Sequence, residues 1–138
     1  MYLVFQGHAH TDANGCRTTE VMVNGQPLEP ELSLKLRNHS PTGFEWGYGG
    51  SGPAQLALAI LLWVLIAPEA LQLYQLFKFQ VIGGLNRDHW IMADHDVRTW
   101  AQAQQPLLDF RYKTEVLEVL DELTDDELLQ PPEKSATK

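Results

Sequence analysis

Cys16 is the single cysteine among 138 residues, so no disulfide can close within the chain. Stability must therefore come from a buried apolar core, and a reducing compartment is the expected setting. Long apolar runs are also lacking. The longest, LALAILLWVLIA from Leu56 to Ala67, has twelve residues where a membrane span needs ~20. It reads as a buried helix, and no membrane association is expected. The opening MYLVFQGHAH carries no basic segment before its short apolar stretch, so it does not read as a signal peptide. Lysine is missing from Leu36 to Phe77, which removes the Gly-Lys-Ser/Thr of a P-loop from the one glycine-rich stretch. Basic residues are absent from 114–130 altogether, where seven acidic ones stand. The net charge of −8 is thus concentrated there, since residues 1–113 carry ten acidic and eight basic groups. An acidic chain is repelled by phosphate backbones, and direct nucleic-acid binding is not expected.

What is present divides into short patterned segments. YLVFQG (2–7) and TTEVMV (18–23) are β-rich, and Asn24-Gly25 is a hairpin turn pair. HAHTD follows the first strand and is expected to leave the sheet as a solvated loop. Leu32, Leu34 and Leu36 alternate with Ser33, Lys35 and Arg37, which predicts a third strand. A first helix is expected from about Pro53 to Ala67, with Ser51 as its N-cap and Pro53 near the first position. Pro68 ends it and opens a second helix with Leu71, Tyr74, Phe77 and Phe79 on its apolar face, closed by Gly83-Gly84. HWIM (89–92) is a last strand, and Asp94 is placed to cap a third helix. Residues 114–130 read as an acidic amphipathic helical extension on Leu117, Leu120 and Leu123, and 131–138 as a disordered tail. No internal repeat is found. The fold class is α+β: one domain over 1–113, a small antiparallel sheet packed against a helical hairpin, with the acidic helix added.

The segment between the third strand and the first helix, SPTGFEWGYGGSGPAQ, holds five glycines in the ten residues from Gly43 to Gly52. Glycine amides converging on a helix N-terminus can hold a phosphate or carboxylate. On that reading Trp46 and Tyr48 stack on a base or sugar and Gly49, Gly50 and Ser51 supply amides, while Glu45, a carboxylate among hydroxyls, is either a general base or a partner for the loop's backbone donors. The structural alternative sends Phe44, Trp46 and Tyr48 into the core, with glycines allowing close packing or positive φ. Trp46, Leu56, Ala57, Ile60, Leu61 and Val64 are expected to be largely buried, since the segment carries the chain into an apolar helix. Ser51 in GGSGP does not make a nucleophile elbow, because the pattern G-x-S-x-G is absent. No catalytic residue is assigned. His8, His10 and Asp12 have the alternation of a metal-binding strand, but the further ligands such a site needs are missing, and no metal or cofactor is called for.

SPTGFEWGYGGSGPAQLALAIL, with the Tyr-x-x-x-x-Gly strand, VMVNGQPL and a closing tryptophan strand, resembles an uncharacterised family of small bacterial, plasmid and phage proteins. The resemblance covers residues 1 to ~105 and carries no activity with it. It implies a mobile-element setting and the cytoplasm of a bacterial host. In that setting the acidic helix would be a docking surface: Glu115, Glu118, Asp121, Glu122, Asp125 and Asp126 against a host protein with a basic surface. The expectation is a non-enzymatic inhibitor of a host protein, with a nucleic-acid-handling defence complex as the expected target. The alternative is a nucleotide- or phosphate-binding module, or an unrecognised enzyme, using the glycine-rich loop.

Overall fold

A computed structural model describes residues 2–104. The acidic extension and tail expected from the sequence, with Glu115, Glu118, Asp121, Glu122, Asp125 and Asp126, lie outside them. The architecture is α+β. β1 (Val4–Thr11), β2 (Arg17–Val23), β3 (Gln26–Pro27) and β4 (His89–Ala93) form one antiparallel sheet in the order β3-β2-β1-β4. Four helices accompany it: α1 (Glu31–Leu36), α2 (Ser51–Val64), α3 (Ala67–Gln80) and α4 (Asp94–Ala103). Among the described residues, no helix is long and apolar enough to cross a membrane.

α2 is the centre of the molecule. Twelve of its fourteen residues are buried, among them Leu56, Ala57, Ile60, Leu61 and Val64 as the sequence predicts. An all-round apolar helix needs cover on every side. The inner sheet face (Leu3, Phe5, Val21, Val23) belongs to the same core, as do Ala70, Leu73, Tyr74 and Phe77 of α3. Gly7 in β1 makes room for the Trp90 indole of β4, which lies where a Cβ would sit. Trp90 in turn meets Trp46 edge to face, with ring centroids 5.7 Å apart.

Several boundaries differ from the sequence reading, each for a local reason. β1 does not leave the sheet at Gly7: it continues to Thr11, because His8, Ala9 and His10 pair with Glu20, Thr19 and Thr18. The leucine alternation from Leu32 to Leu36 is helical. Pro30 has helical φ/ψ and starts α1, and Glu, Leu and Lys are strong helix formers. The buried positions there are Ser33 and Leu36, three apart, rather than every second residue. Gly50, not Ser51, is the N-cap of α2, and no side chain caps it. α2 stops at Val64, and Pro68 sits in the first turn of α3 instead of between the helices. Phe79 is 69% exposed while Lys78 is buried, since the inward positions of α3 run through Leu71, Tyr74 and Phe77. Asp94 is the first residue of α4, after an Ala93 cap. Its carboxylate accepts the Leu3 N–H and meets Arg98, tying the chain start to α4.

Candidate functional site

The glycine-rich segment is fastened at both ends and in the middle. At its start Gln55, fully buried on α2, accepts the N–H groups of His39 (2.7 Å) and Ser40 (3.0 Å). The same amide donates to Ser33 Oγ and to the Arg37 carbonyl, each at 3.0 Å. A buried amide with all its partners present fixes the chain leaving α1 relative to α2. Ser40 Oγ then donates to the Gly43 carbonyl, and Thr19 Oγ1 on β2 donates to the Phe44 carbonyl at 2.8 Å.

In the middle stands an arginine pair. Arg17 follows Thr19, Val21 and Val23 on the inward side of β2, where a cation needs a partner. Glu45 supplies it, with contacts of 2.9 Å from Nε and 3.2 Å from Nη2. Arg17 also donates to the Arg87 carbonyl and lies over the Trp46 ring. Arg87 donates to the Trp46 carbonyl at 2.9 Å and covers the Tyr48 ring, and Trp46 Nε1 donates back to the Arg87 carbonyl. Gly47 has φ +84° where the chain turns beneath Arg87.

These contacts place each residue singled out in the sequence. Trp46 is sealed in the core, so its ring meets Trp90 edge to face and is closed to a ligand. Glu45 is held by Arg17 and is not a free base. Tyr48 is exposed, with Gly50 packed under its ring. Gly49 opens toward Phe79, and Ser51 is exposed on the first turn of α2. Of the four glycines 47, 49, 50 and 52, Gly47 alone has positive φ; it packs against Arg87, while Gly50 and Gly52 pack against the loop's own Tyr48 and Glu45. His8 and His10 stand exposed on the outer sheet face, while Asp12 turns away to accept the N–H groups of Asn14 and Cys16. Among the described residues no group of three or more metal-ligating side chains comes together.

One face of the loop is thus closed and the other is open. The open face forms a cleft of about 770 Å³ with β2 (Arg17–Val21) and the segment from Pro27 to Pro30. Ser40, Thr42, Glu45, Tyr48 and Ser51 line the loop side. Thr18 and Glu20 line the sheet side, and Val21, Leu28 and Phe44 supply apolar surface at the base. Glu20 has no ion partner among the described residues. Glu45, by contrast, is met by Arg17 at 2.9 Å and by Arg87 at 4.0 Å, so Glu20 is the carboxylate of the cleft that stands without a cation among the described residues.

β2 also presents an open edge here. β3 is two residues long and pairs only with Met22 and Val23. The Leu28 N–H adds one bond to the Val21 carbonyl at 2.9 Å. That bond shows that Val21 points its backbone groups away from β1, and antiparallel alternation gives Thr19 and Arg17 the same direction. Among the described residues nothing pairs the Thr19 N–H or C=O on that edge.

Sequence reasoning missed Gln55, Arg17, Thr19 and Glu20. Signals existed for two. Gln55 is the lone polar side chain between Pro53 and Pro68, and Glu45 is the single acidic residue between Glu31 and Glu69, the natural counter-ion for an inward arginine. His39 beside Gln55 has its pKa lowered, first by burial and then by the Lys78 and Arg37 charges, and its Nε2 lies 2.8 Å from Tyr74 Oη.

A family model described as a family of unknown function (DUF6166) matches residues 5–103. No curated protein and no solved structure matches the chain.

Proposed function

The chain belongs to DUF6166, and we propose that it acts as a binding protein that captures a basic segment of another protein, without catalysis. The observation that carries this reading is the cleft between β2 and the glycine-rich loop. It is open and lined by hydroxyls and by the Glu20 carboxylate, which meets no cation among the described residues, while Glu45 is engaged by Arg17 and Arg87. A site of that charge suits a lysine- or arginine-bearing partner. Set in the mobile element that the sequence resemblance implies, the partner is a host protein and capture is inhibitory, with the acidic residues of 114–130 adding long-range attraction. Affinity capture from host lysate by the wild type and by Glu20→Arg, compared at low and high salt, tests this. A partner retained by the wild type, lost from the variant and weakened by salt supports it once the purified partner repeats the pattern. Identical capture by both proteins refutes it.

A second reading has its own observation. Among the described residues the N–H groups of Gly49, Gly50, Ser51 and Gly52 meet no protein acceptor, and the first turn of α2 holds no acidic residue. An anion could sit there. Glu45 weighs against it, since its Cβ lies 2.7 Å from where a Gly52 Cβ would stand, and its carboxylate repels a phosphate. Melting curves with inorganic phosphate and with a nucleotide discriminate: a concentration-dependent rise favours the anion site, and flat curves remove it.

A further inference from the structure

We infer that the partner's segment binds as an added β-strand along the open edge of β2, and that it alternates basic and apolar residues. This rests on the cleft being the binding site, as proposed above. Three observations converge. The first is the unpaired edge itself: Thr19 and Arg17 offer backbone donors and acceptors facing outward, in line with the Leu28–Val21 bond where β3 gives out. Edge strands left open in this way template another strand. The second is access. The edge is not buried under the loop; the residues from Arg17 to Val21 form one wall of the cleft, so an extended chain can enter alongside them. Five residues of strand span ~17 Å, enough for a short peptide to pair through two outward positions.

The third observation gives the chemistry of the two faces. Side chains alternate across a sheet, and the residue of an added strand opposite Glu20 projects onto the same face as Glu20. That face is solvent-exposed and Glu20 lacks an ion partner among the described residues, so a Lys or Arg fits there. The residue of the added strand opposite Thr19 projects to the inner face, the place beside Val21 being held by Leu28. There Val21, Leu28 and Phe44 form the apolar base of the cleft, with Pro30 beside them, so this position takes Val, Ile or Leu. Pro27 and Pro30 keep the chain after β2 from extending along the same edge, because proline has no N–H to give a ladder.

The test uses the full chain and a fluorescein-labelled six-residue peptide of Lys-Val repeats, read by fluorescence anisotropy. Two comparison peptides are a Glu-Val repeat and the Lys-Val repeat with alternate backbone nitrogens methylated. Two protein variants are compared with each other. Thr19→Pro removes the outward N–H, and Thr19→Val keeps it while dropping the hydroxyl held by Phe44. The inference predicts that the Lys-Val peptide binds, and that the Glu-Val and N-methylated peptides each bind at least ~10-fold more weakly. It also predicts that Thr19→Pro binds ~10-fold more weakly than Thr19→Val. If Thr19→Pro does not fold, the N-methylated peptide alone decides the point. Equal binding of the methylated and unmodified peptides overturns strand addition. If that binding is still lost in Glu20→Arg, the cleft reading survives without it. Absence of Lys-Val binding up to millimolar concentration also overturns strand addition. Self-association of the wild type that Thr19→Pro abolishes overturns it too, in favour of a second copy of this chain as occupant.

Discussion

Gln55→Leu tests whether the loop that walls the cleft is held by one buried side chain. Leucine has about the volume of glutamine, though it branches one carbon earlier, and it suits an apolar helix, so the substitution leaves no large cavity. It removes four hydrogen bonds. Ser33 Oγ keeps its bond to the Pro30 carbonyl, so the groups orphaned at the loop are the N–H of His39 and the N–H of Ser40. Each orphan costs about 1–3 kcal/mol when buried, and less where water can reach it. Part of the sum is offset by burying leucine instead of an amide, which leaves a net loss of about 2–4 kcal/mol. For a domain of this size that lowers the melting temperature by roughly 10–25 °C. Thermal denaturation followed by circular dichroism reads this directly. A melting temperature within about 3 °C of wild type would refute the argument, because it would mean the amide bonds are replaced by water at no cost.

Gly7→Ala sets a methyl into the Trp90 indole, which Trp46 backs edge to face, so ~1–3 kcal/mol should be lost and the near-ultraviolet tryptophan signal should change. An unchanged spectrum and melt would contradict that packing. Ile60→Asp puts a carboxylate at a fully buried point of α2 and should abolish cooperative melting. The pH dependence follows from His39. Its folded-state pKa lies below the unfolded value of about 6.5, so the unfolded chain takes up the proton first as pH falls. Its contribution is therefore complete above that value and is lost as pH drops through the folded pKa. His39→Gln should flatten this part of the stability profile below pH ~6.5, and an identical pH slope in both proteins would contradict it.

How much of this was legible in the sequence depended on how local the cause was. The α2 core was legible because an apolar run of that length has one stable use. The Asn24-Gly25 hairpin was legible because Asn24 and Gly25 both take positive φ, which the residue pair announces. α1 was not, since three alternating leucines over five residues fit either period, and only the Ser33–Gln55 contact decides which side faces inward. The glycine-rich loop was legible as a special segment but not in its detail. Trp46 looked like a stacking platform, yet it is fixed by Arg87, 41 residues away. Glu45 looked like a free carboxylate, yet Arg17 holds it from 28 residues away. Pairings at such separations leave no periodic trace in the chain. The open edge of β2 was hidden for a related reason: it exists because β3 stops after two residues, which a predicted third strand over Leu32–Leu36 obscured.

The most direct test of the cleft as the binding site is amide hydrogen exchange of the full chain, residue by residue, with and without saturating Lys-Val peptide. The account predicts slowing at Arg17 and Thr19, whose N–H groups gain acceptors, and at the glycine-rich loop across the cleft. The outward amides of β4, on the far side of the sheet, should exchange at their original rates. Slowing confined to β4 or α3, with Arg17 and Thr19 unchanged, would contradict it.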